Sequence, residues 1–155
     1  MEKRCILFTG LQASGKTSFW QQYFPDLAHV NLDTLHTRNK ERFLLDECFA
    51  SGASFVVDNT NPTRKDRERY ISRAKENGYR VIGYYFQSSI SACKERNSRR
   101  TGKALLPVSA LAATHRTLEL PGWDEGFDEL YYVLIDDSSF AVEPWETEEE
   151  KTDEV

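Results

Sequence analysis

The sequence has no apolar run near the roughly 20 residues that a membrane-spanning helix requires, and no short apolar segment flanked like a secretory leader. Membrane partners and export are not indicated, and the cytosol is the expected compartment. Only three cysteines occur in 155 residues, Cys5, Cys48 and Cys93, an odd number in no metal-ligand spacing. That excludes a disulfide framework. All three fall within apparent strands or helices, so they read as reduced core residues. Internal repeats are absent. The length suits about one domain with one core and is too short for a motor with separate regulatory lobes.

Net positive charge is also lacking, at −5 overall, but the deficit is local. Residues 143–155 carry seven acids and one lysine, a net of −6, and residues 1–142 hold 18 acids against 19 bases. Between Arg38 and Lys103 there are 15 bases against 8 acids, a net of +7. Such a region permits a polyanionic ligand without demanding one. The expected organisation is a domain over residues 1–142 and an acidic tail over 143–155, loosely attached from Glu146 onward.

Apolar runs and helical patterns alternate along the chain. Strands are expected at Arg4–Phe8, His29–Asp33, Phe55–Asp58, Arg80–Phe86 and Tyr131–Ile135. Helices are expected at Lys16–Tyr23, at Arg38–Ala50 with Gly52 as its stop, from Thr63 to Gly78, and from Ser89 to about Arg100. Strand–helix–strand alternation implies a parallel sheet.

The stretch GLQASGKT, residues 10–17, follows the first strand and opens the first helix, which is the setting of the phosphate-binding loop G-x-x-x-x-G-K-[ST]. Gly10 and Gly15 allow the tight turn that aims N–H groups inward, and the helix start adds its positive dipole end. Lys16 reaches the β and γ phosphates, and Thr17 offers a hydroxyl to Mg2+. The loop therefore implies a bound nucleoside triphosphate, ATP with Mg2+, on Gly10, Ala13, Ser14, Gly15, Lys16, Thr17 and Ser18. The fold class is an α/β three-layer P-loop NTPase sandwich with a five-stranded, mostly parallel sheet and a short helical lid.

Ligands of open α/β sheets collect beyond the carboxyl ends of the strands. Two carboxylates are expected there, Asp33 after VNL and Asp58 after VV. Asp33 suits a general base for an attacking hydroxyl, and Asp58 suits support of the Thr17 hydroxyl or of metal-bound water; for each, a helix cap is the competing role. The segment CKERNSRRTGK places Arg96, Arg99 and Arg100 at i, i+3 and i+4. That face suits a lid closing over the transferred phosphoryl group, or an ordinary solvated basic helix end.

Together GLQASGKTS, VNLDTL, VVDNTNPTRKDRERY and RNSRRTGKALLPVSAL resemble the 5′-hydroxyl polynucleotide kinase family over residues 4 to about 135. The resemblance implies a phosphotransferase in which Lys16 contacts the phosphates, Thr17 ligands magnesium and Asp33 is the base. It also implies that Arg96 and Arg100 act from the lid, that Asp58 supports the loop, and that the substrate is a DNA or RNA 5′ end. Two positions depart from the pattern: Ala13 stands where the family often has Gly, and Leu32 where it has Arg. For the basic residue that commonly holds a substrate phosphate after the catalytic Asp, the candidates are His36 and Arg38, with Arg38 ranked first. A phosphatase or ligase partner activity is expected on another chain.

His115 shares the apolar stripe of Val108, Leu111, Ala112 and Leu118 and reads as a core histidine, and Trp20 reads as core. LPGWDEGF, residues 120–127, resembles the loop near the adenine in this family. Two alternatives stay open: a small-molecule kinase on the same fold, and a non-catalytic nucleotide-binding switch.

Overall fold

Apolar strands that must be buried on both faces need helices above and below them, and the chain supplies these in alternation. The computed structural model describes residues 2–136 and 139–145. In order they form β1 (Arg4–Thr9), α1 (Lys16–Tyr23), β2 (Ala28–Val30), α2 (Leu32–Leu35), α3 (Arg38–Ser51), β3 (Phe55–Val57), α4 (Arg64–Glu76), β4 (Arg80–Phe86), α5 (Ile90–Ser98), α6 (Val108–Thr117), β5 (Glu129–Asp136) and β6 (Ser139–Pro144). The strands lie in the order β2-β3-β1-β4-β5-β6, parallel except for the antiparallel β5–β6 pair. Among the described residues no helix is long and apolar enough to cross a membrane.

The sheet is thus six-stranded rather than five-stranded. β6 pairs along β5 from Asp136↔Ser139 to Tyr131↔Pro144. Most of its residues are exposed, so it lacks the alternating apolar signal that marks a half-buried strand. The pairing carries Glu143 and Pro144 into the sheet, beyond the expected boundary at residue 142. Trp145 is buried against Tyr85 and Tyr132, at ring-centroid distances of 5.6 and 6.1 Å. The acidic residues 146–155 lie outside the described residues.

Alternate residues of the strands feed two cores. On one face Leu7, Val57, Val81 and Tyr132 meet Leu45 and Cys48 of α3 and Tyr70, Ile71 and Ala74 of α4. On the other, Ile6, Phe8, Val56 and Phe86 meet Phe19 of α1, whose ring lies 5.2 Å from Phe86 and 5.1 Å from Phe140. A third cluster, Leu11, Ala13, Cys93 and Leu111, joins the glycine-rich loop to α5 and α6. All three cysteines are buried and free.

Capping follows the sequence. Thr37 accepts from Lys40 N–H at 3.1 Å to start α3, and Thr63 accepts from Asp66 N–H at 3.1 Å to start α4. The second strand is shorter than expected: it ends at Val30, and Asn31 caps α2 by accepting from Thr34 N–H at 3.1 Å. Asp33 therefore sits in the first turn of a helix instead of at a strand end.

A buried ion pair ties the loop at residues 122–125 to α4, alongside a more exposed Arg64–Asp124 pair at 2.6 Å. Arg67 is fully buried; its Nε and Nη2 donate to Oε1 and Oε2 of Glu125 at 2.8 and 3.1 Å, and its Nη1 donates to Asn61 O at 3.0 Å. Glu125 also accepts Gly122 N–H at 2.9 Å, which folds the Trp123–Glu125 turn. Removing one partner of such a pair strands the other charge. Arg67→Ala is expected to destabilise the protein by about 3–5 kcal/mol in urea unfolding. An effect below about 1 kcal/mol would mean that Glu125 finds water without the arginine.

Candidate active site

The glycine-rich loop is held by neighbours on both sides. Gly10 N–H donates to Thr60 O and Leu11 N–H to Ser88 Oγ, both at 3.0 Å. A Cβ on Gly10 would come within 2.9 Å of Phe86 Cβ, and one on Gly15, whose φ is +94°, would collide with Ile135 Cδ1. Gly10 is required by space, and Gly15 by its backbone conformation. Ala13 also adopts a left-handed φ of 63°, at a cost of roughly 1–2 kcal/mol for an L residue. Its methyl is buried in the Leu11–Cys93–Leu111 cluster and its carbonyl accepts Arg96 Nε–H at 2.5 Å, which offset that cost.

Lys16 is buried, with Nζ donating to Leu11 O at 2.6 Å and Gly10 O at 3.1 Å. Burial lowers its pKa to about 8 from 10.5; Asp58 and Asp33 act to restore the charge and Arg100 opposes it. The four groups share one electrostatic field.

Thr17 Oγ1 donates to Asp58 Oδ2 at 2.7 Å, and both residues line the same cleft. His29 Nε2 pairs with the same Asp58 oxygen at 2.7 Å, and the Trp20 indole stacks on the His29 ring at 3.9 Å and 10°. Asp58 is therefore a loop-and-helix tether, not a helix cap. Among the described residues no group of three or more His, Cys, Asp or Glu forms a metal cage. One hydroxyl backed by a carboxylate fits a hard cation that takes its remaining oxygens from phosphate and water.

The segment DNTNP works residue by residue. Asn59 Oδ1 accepts Leu32 N–H at 2.9 Å, Thr60 O accepts Gly10 N–H, and Asn61 Nδ2 donates to Phe8 O at 2.8 Å. Pro62 O accepts Glu119 N–H at 2.7 Å. The turn thus fastens β1, α2 and the segment after α6 to one another. Asn31 Nδ2 adds a 2.6 Å bond to Asp58 O.

Two clefts meet across Gly15 and Ser18. The first, of about 340 Å³, is lined by loop residues including Lys16 and Thr17, by Asp33, Asp58 and Asn59, and by Arg100 and Leu106 from the lid. Asp33 is exposed in it and is not the cap of α2, since Asn31 takes that role. The second, of about 490 Å³, lies between Ser18 and Gln22 of α1, Arg96 and Arg99 of α5, and Ile135 and Phe140 of the β5–β6 hairpin. The lid is braced by buried Asn97, which donates to Leu106 O at 2.8 Å and accepts Leu106 N–H at 3.0 Å. Gly10, Ala13, Ser14, Gly15, Lys16, Thr17, Ser18, Asp33, Asp58, Arg96 and Arg100 therefore gather around one loop, although Arg96 and Arg100 serve different clefts.

Arg38 lies outside the lining of both clefts. Its Nη1 donates to Glu41 Oε1 at 3.0 Å and to Tyr70 OH at 2.9 Å. The loop 120–127 also stands apart: it packs on α4 through Arg67 and contributes to neither cleft. His115 is half-buried and Val108 is 54% exposed, so the apolar stripe of α6 is narrower than its spacing suggests. His29, Asn31 and Glu41 were not singled out by sequence, and Tyr70 was read only as part of the apolar face of α4. Only HVN before Asp33 and the acidic residue inside a basic helix start hinted at them.

A sequence profile of the AAA domain family (AAA_33) matches residues 40–121. The chain is 29% identical over 142 residues to an Acanthamoeba polyphaga mimivirus protein provisionally named a bifunctional polynucleotide phosphatase/kinase, covering 86% of this chain and 34% of that one. It is 28% identical over 127 residues to the bifunctional polynucleotide phosphatase/kinase of Schizosaccharomyces pombe, covering 79% and 31%. The chain spans about a third of the length of these curated relatives. Among solved structures, a gluconokinase from Sinorhizobium meliloti 1021 superposes with a TM-score of 0.61 at 21% identity, covering 87% of this chain and 84% of that one. The superposition shows that the fold is that of a P-loop kinase, and the matched profile covers more than half of the chain, which therefore belongs to the AAA domain family, AAA_33.

Proposed function

We propose that this protein is an ATP-dependent kinase that transfers the γ-phosphate to the 5′-hydroxyl of DNA or RNA. The observation that carries the reading is the exposed carboxylate of Asp33 in the same cleft as Lys16, Thr17 and Arg100. A P-loop alone binds a triphosphate; a free carboxylate beside it supplies the acceptor half. The similarity to two proteins named polynucleotide phosphatase/kinases supports the acceptor class.

In this reading the triphosphate lies over residues 10–18 and its nucleoside occupies the second cleft, against Ile135 and Phe140. Lys16 leaves the loop carbonyls for the β and γ phosphates. Asp33 takes the proton as the acceptor oxygen bonds to the γ phosphorus, and the bond from the γ phosphorus to the β,γ-bridging oxygen breaks to release ADP. Arg100 stabilises the charge on the transferring group from the lid; Arg96, anchored to Ala13 O, acts on the donor side. Mg2+, when bound, neutralises charge on the β and γ oxygens. Thr17 would hold it and Asp58 would orient Thr17. Arg38 would meet the acceptor strand outside the cleft. The kinase domain runs through β6 to Trp145, with the acidic residues from 146 following it, and the compartment is the cytosol.

The structural likeness to a gluconokinase favours one second reading, a small neutral acceptor. Transfer of label from γ-labelled ATP separates the two. A 5′-hydroxyl oligonucleotide should be labelled, with affinity falling steeply as salt rises, whereas a sugar acceptor would show little salt dependence. Labelling of sugars but not of DNA or RNA overturns the proposal. Asp33→Asn should abolish transfer and leave ATP binding intact; preserved turnover would remove Asp33 as the base.

Lys16 supplies a pH signature. The native apo protein releases this proton near pH 8 and the unfolded chain near 10.5, so apo stability should rise with pH across that window. ATP restores the cation. Calorimetry at pH 8.5 in buffers of different ionisation enthalpy should therefore show proton uptake on ATP binding. The uptake should be absent in Lys16→Met, and equal uptake by both proteins would reassign it.

A further inference from the structure

Glu41 is a carboxylate with 4% exposure, in the first turn of α3, and it makes no contact with the phosphate loop. Burying such a charge is costly unless every oxygen is hydrogen-bonded. Here three donors converge on it. Oε1 accepts Arg38 Nη1–H at 3.0 Å; Oε2 accepts Tyr70 OH at 2.9 Å and Asn59 Nδ2–H at 3.2 Å. Tyr70 OH in turn accepts Arg38 Nη1–H at 2.9 Å, and Asn59 Nδ2 lies 3.3 Å from the same hydroxyl.

The cluster joins two groups on the acceptor side. At one end Arg38 keeps 55% of its side chain exposed, and Nη1 is the guanidinium nitrogen engaged among the described residues, which leaves Nε and Nη2 as donors for a ligand. At the other end Asn59, which lines the first cleft, holds Leu32 N–H through Oδ1, one residue before Asp33. Burial opposes the Arg38 charge, but Tyr70 and Glu41 outweigh it and the guanidinium pKa is raised. Burial, with Glu41 beside it, pushes the Tyr70 phenol up to about 12, which keeps it a donor to Glu41.

We infer that Glu41 is the positioning residue of the acceptor side: with Tyr70 and Asn59 it holds the Arg38 guanidinium and the Asp33-bearing helix α2 in one fixed relation. The inference rests on the proposed transfer to a nucleic-acid hydroxyl and adds what orients the acceptor. A phosphate on the strand meets a guanidinium that is already aimed, while the attacking oxygen meets Asp33. A neutral amide at position 41 cannot do the same, because it turns an N–H toward at least one of the three donors.

Binding of a fluorescent 5′-hydroxyl oligonucleotide, followed by anisotropy, tests this without requiring turnover. Glu41→Gln should weaken oligonucleotide binding by about tenfold, the scale of a lost charge-assisted hydrogen bond, and raise the acceptor KM in step. The KM for ATP should stay within about twofold, a split that general unfolding would not produce. Tyr70→Phe keeps the ring and removes only the hydroxyl; it should show a smaller change in the same direction if Glu41→Gln proves unstable. In an Arg38→Ala background, Glu41→Gln should add less to the loss than it does alone. Folded Glu41→Gln and Tyr70→Phe proteins that bind the oligonucleotide like wild type overturn the inference while leaving the kinase reading intact. Wild-type binding without transfer overturns the kinase reading alone, and absence of binding overturns both.

Discussion

The loop at residues 10–15 holds Ala13 and Gly15 at positive φ, and it exists only because its surroundings over-determine it. Gly10 is fastened to Thr60, Leu11 to Ser88, and Ala13 to Arg96. Lys16 folds back over the carbonyls and fills the centre. Three elements distant in sequence thus converge on six residues. The order β3-β1-β4 is what makes this possible, because the loop leaves the central strand between the ends of both neighbours.

The same logic explains two clusters of buried charge outside the two clefts. Arg67 and Glu125 fix the turn after α6 to the start of α4, and Asn61, which Arg67 also touches, reaches back to Phe8 O at the end of β1. Glu41 anchors α3 to Asn59. Both clusters end on DNTNP. The motif is a junction at which the strand ends are tied together; both asparagines supply side-chain bonds, and Asn61 also takes the left-handed backbone that the turn needs, at φ 43°.

Much of this was legible in the residues. The glycine-lysine loop, the start of α4 at Thr63 and the αL stop at Gly52 are local signals, each set within a few residues of chain, and the structure carries them as expected. What was not legible depends on tertiary partners. The pairing of His29 with Asp58 spans 29 residues and that of Tyr70 with Glu41 also 29. Their neighbourhoods give faint hints at most, because the partner of each lies on another element. β6 was missed for a different reason: its stability comes from backbone pairing with β5 and one aromatic, Phe140, so its side chains scarcely report it. Asn31 took the cap that the sequence offered to Asp33, and thereby left that carboxylate free.

The ends of the sheet carry a consequence of their own. An open edge is an invitation for another chain to add a strand. Here one edge, β2, is only three residues long, and the other, β6, is exposed but ends on Glu143 and Pro144, a charge and a residue without a backbone donor. Neither offers a long template for extension. The fold can keep its working loops crowded along one rim of the sheet, with their backbones in uncommon conformations, because its two outer borders are poor seeds for aggregation.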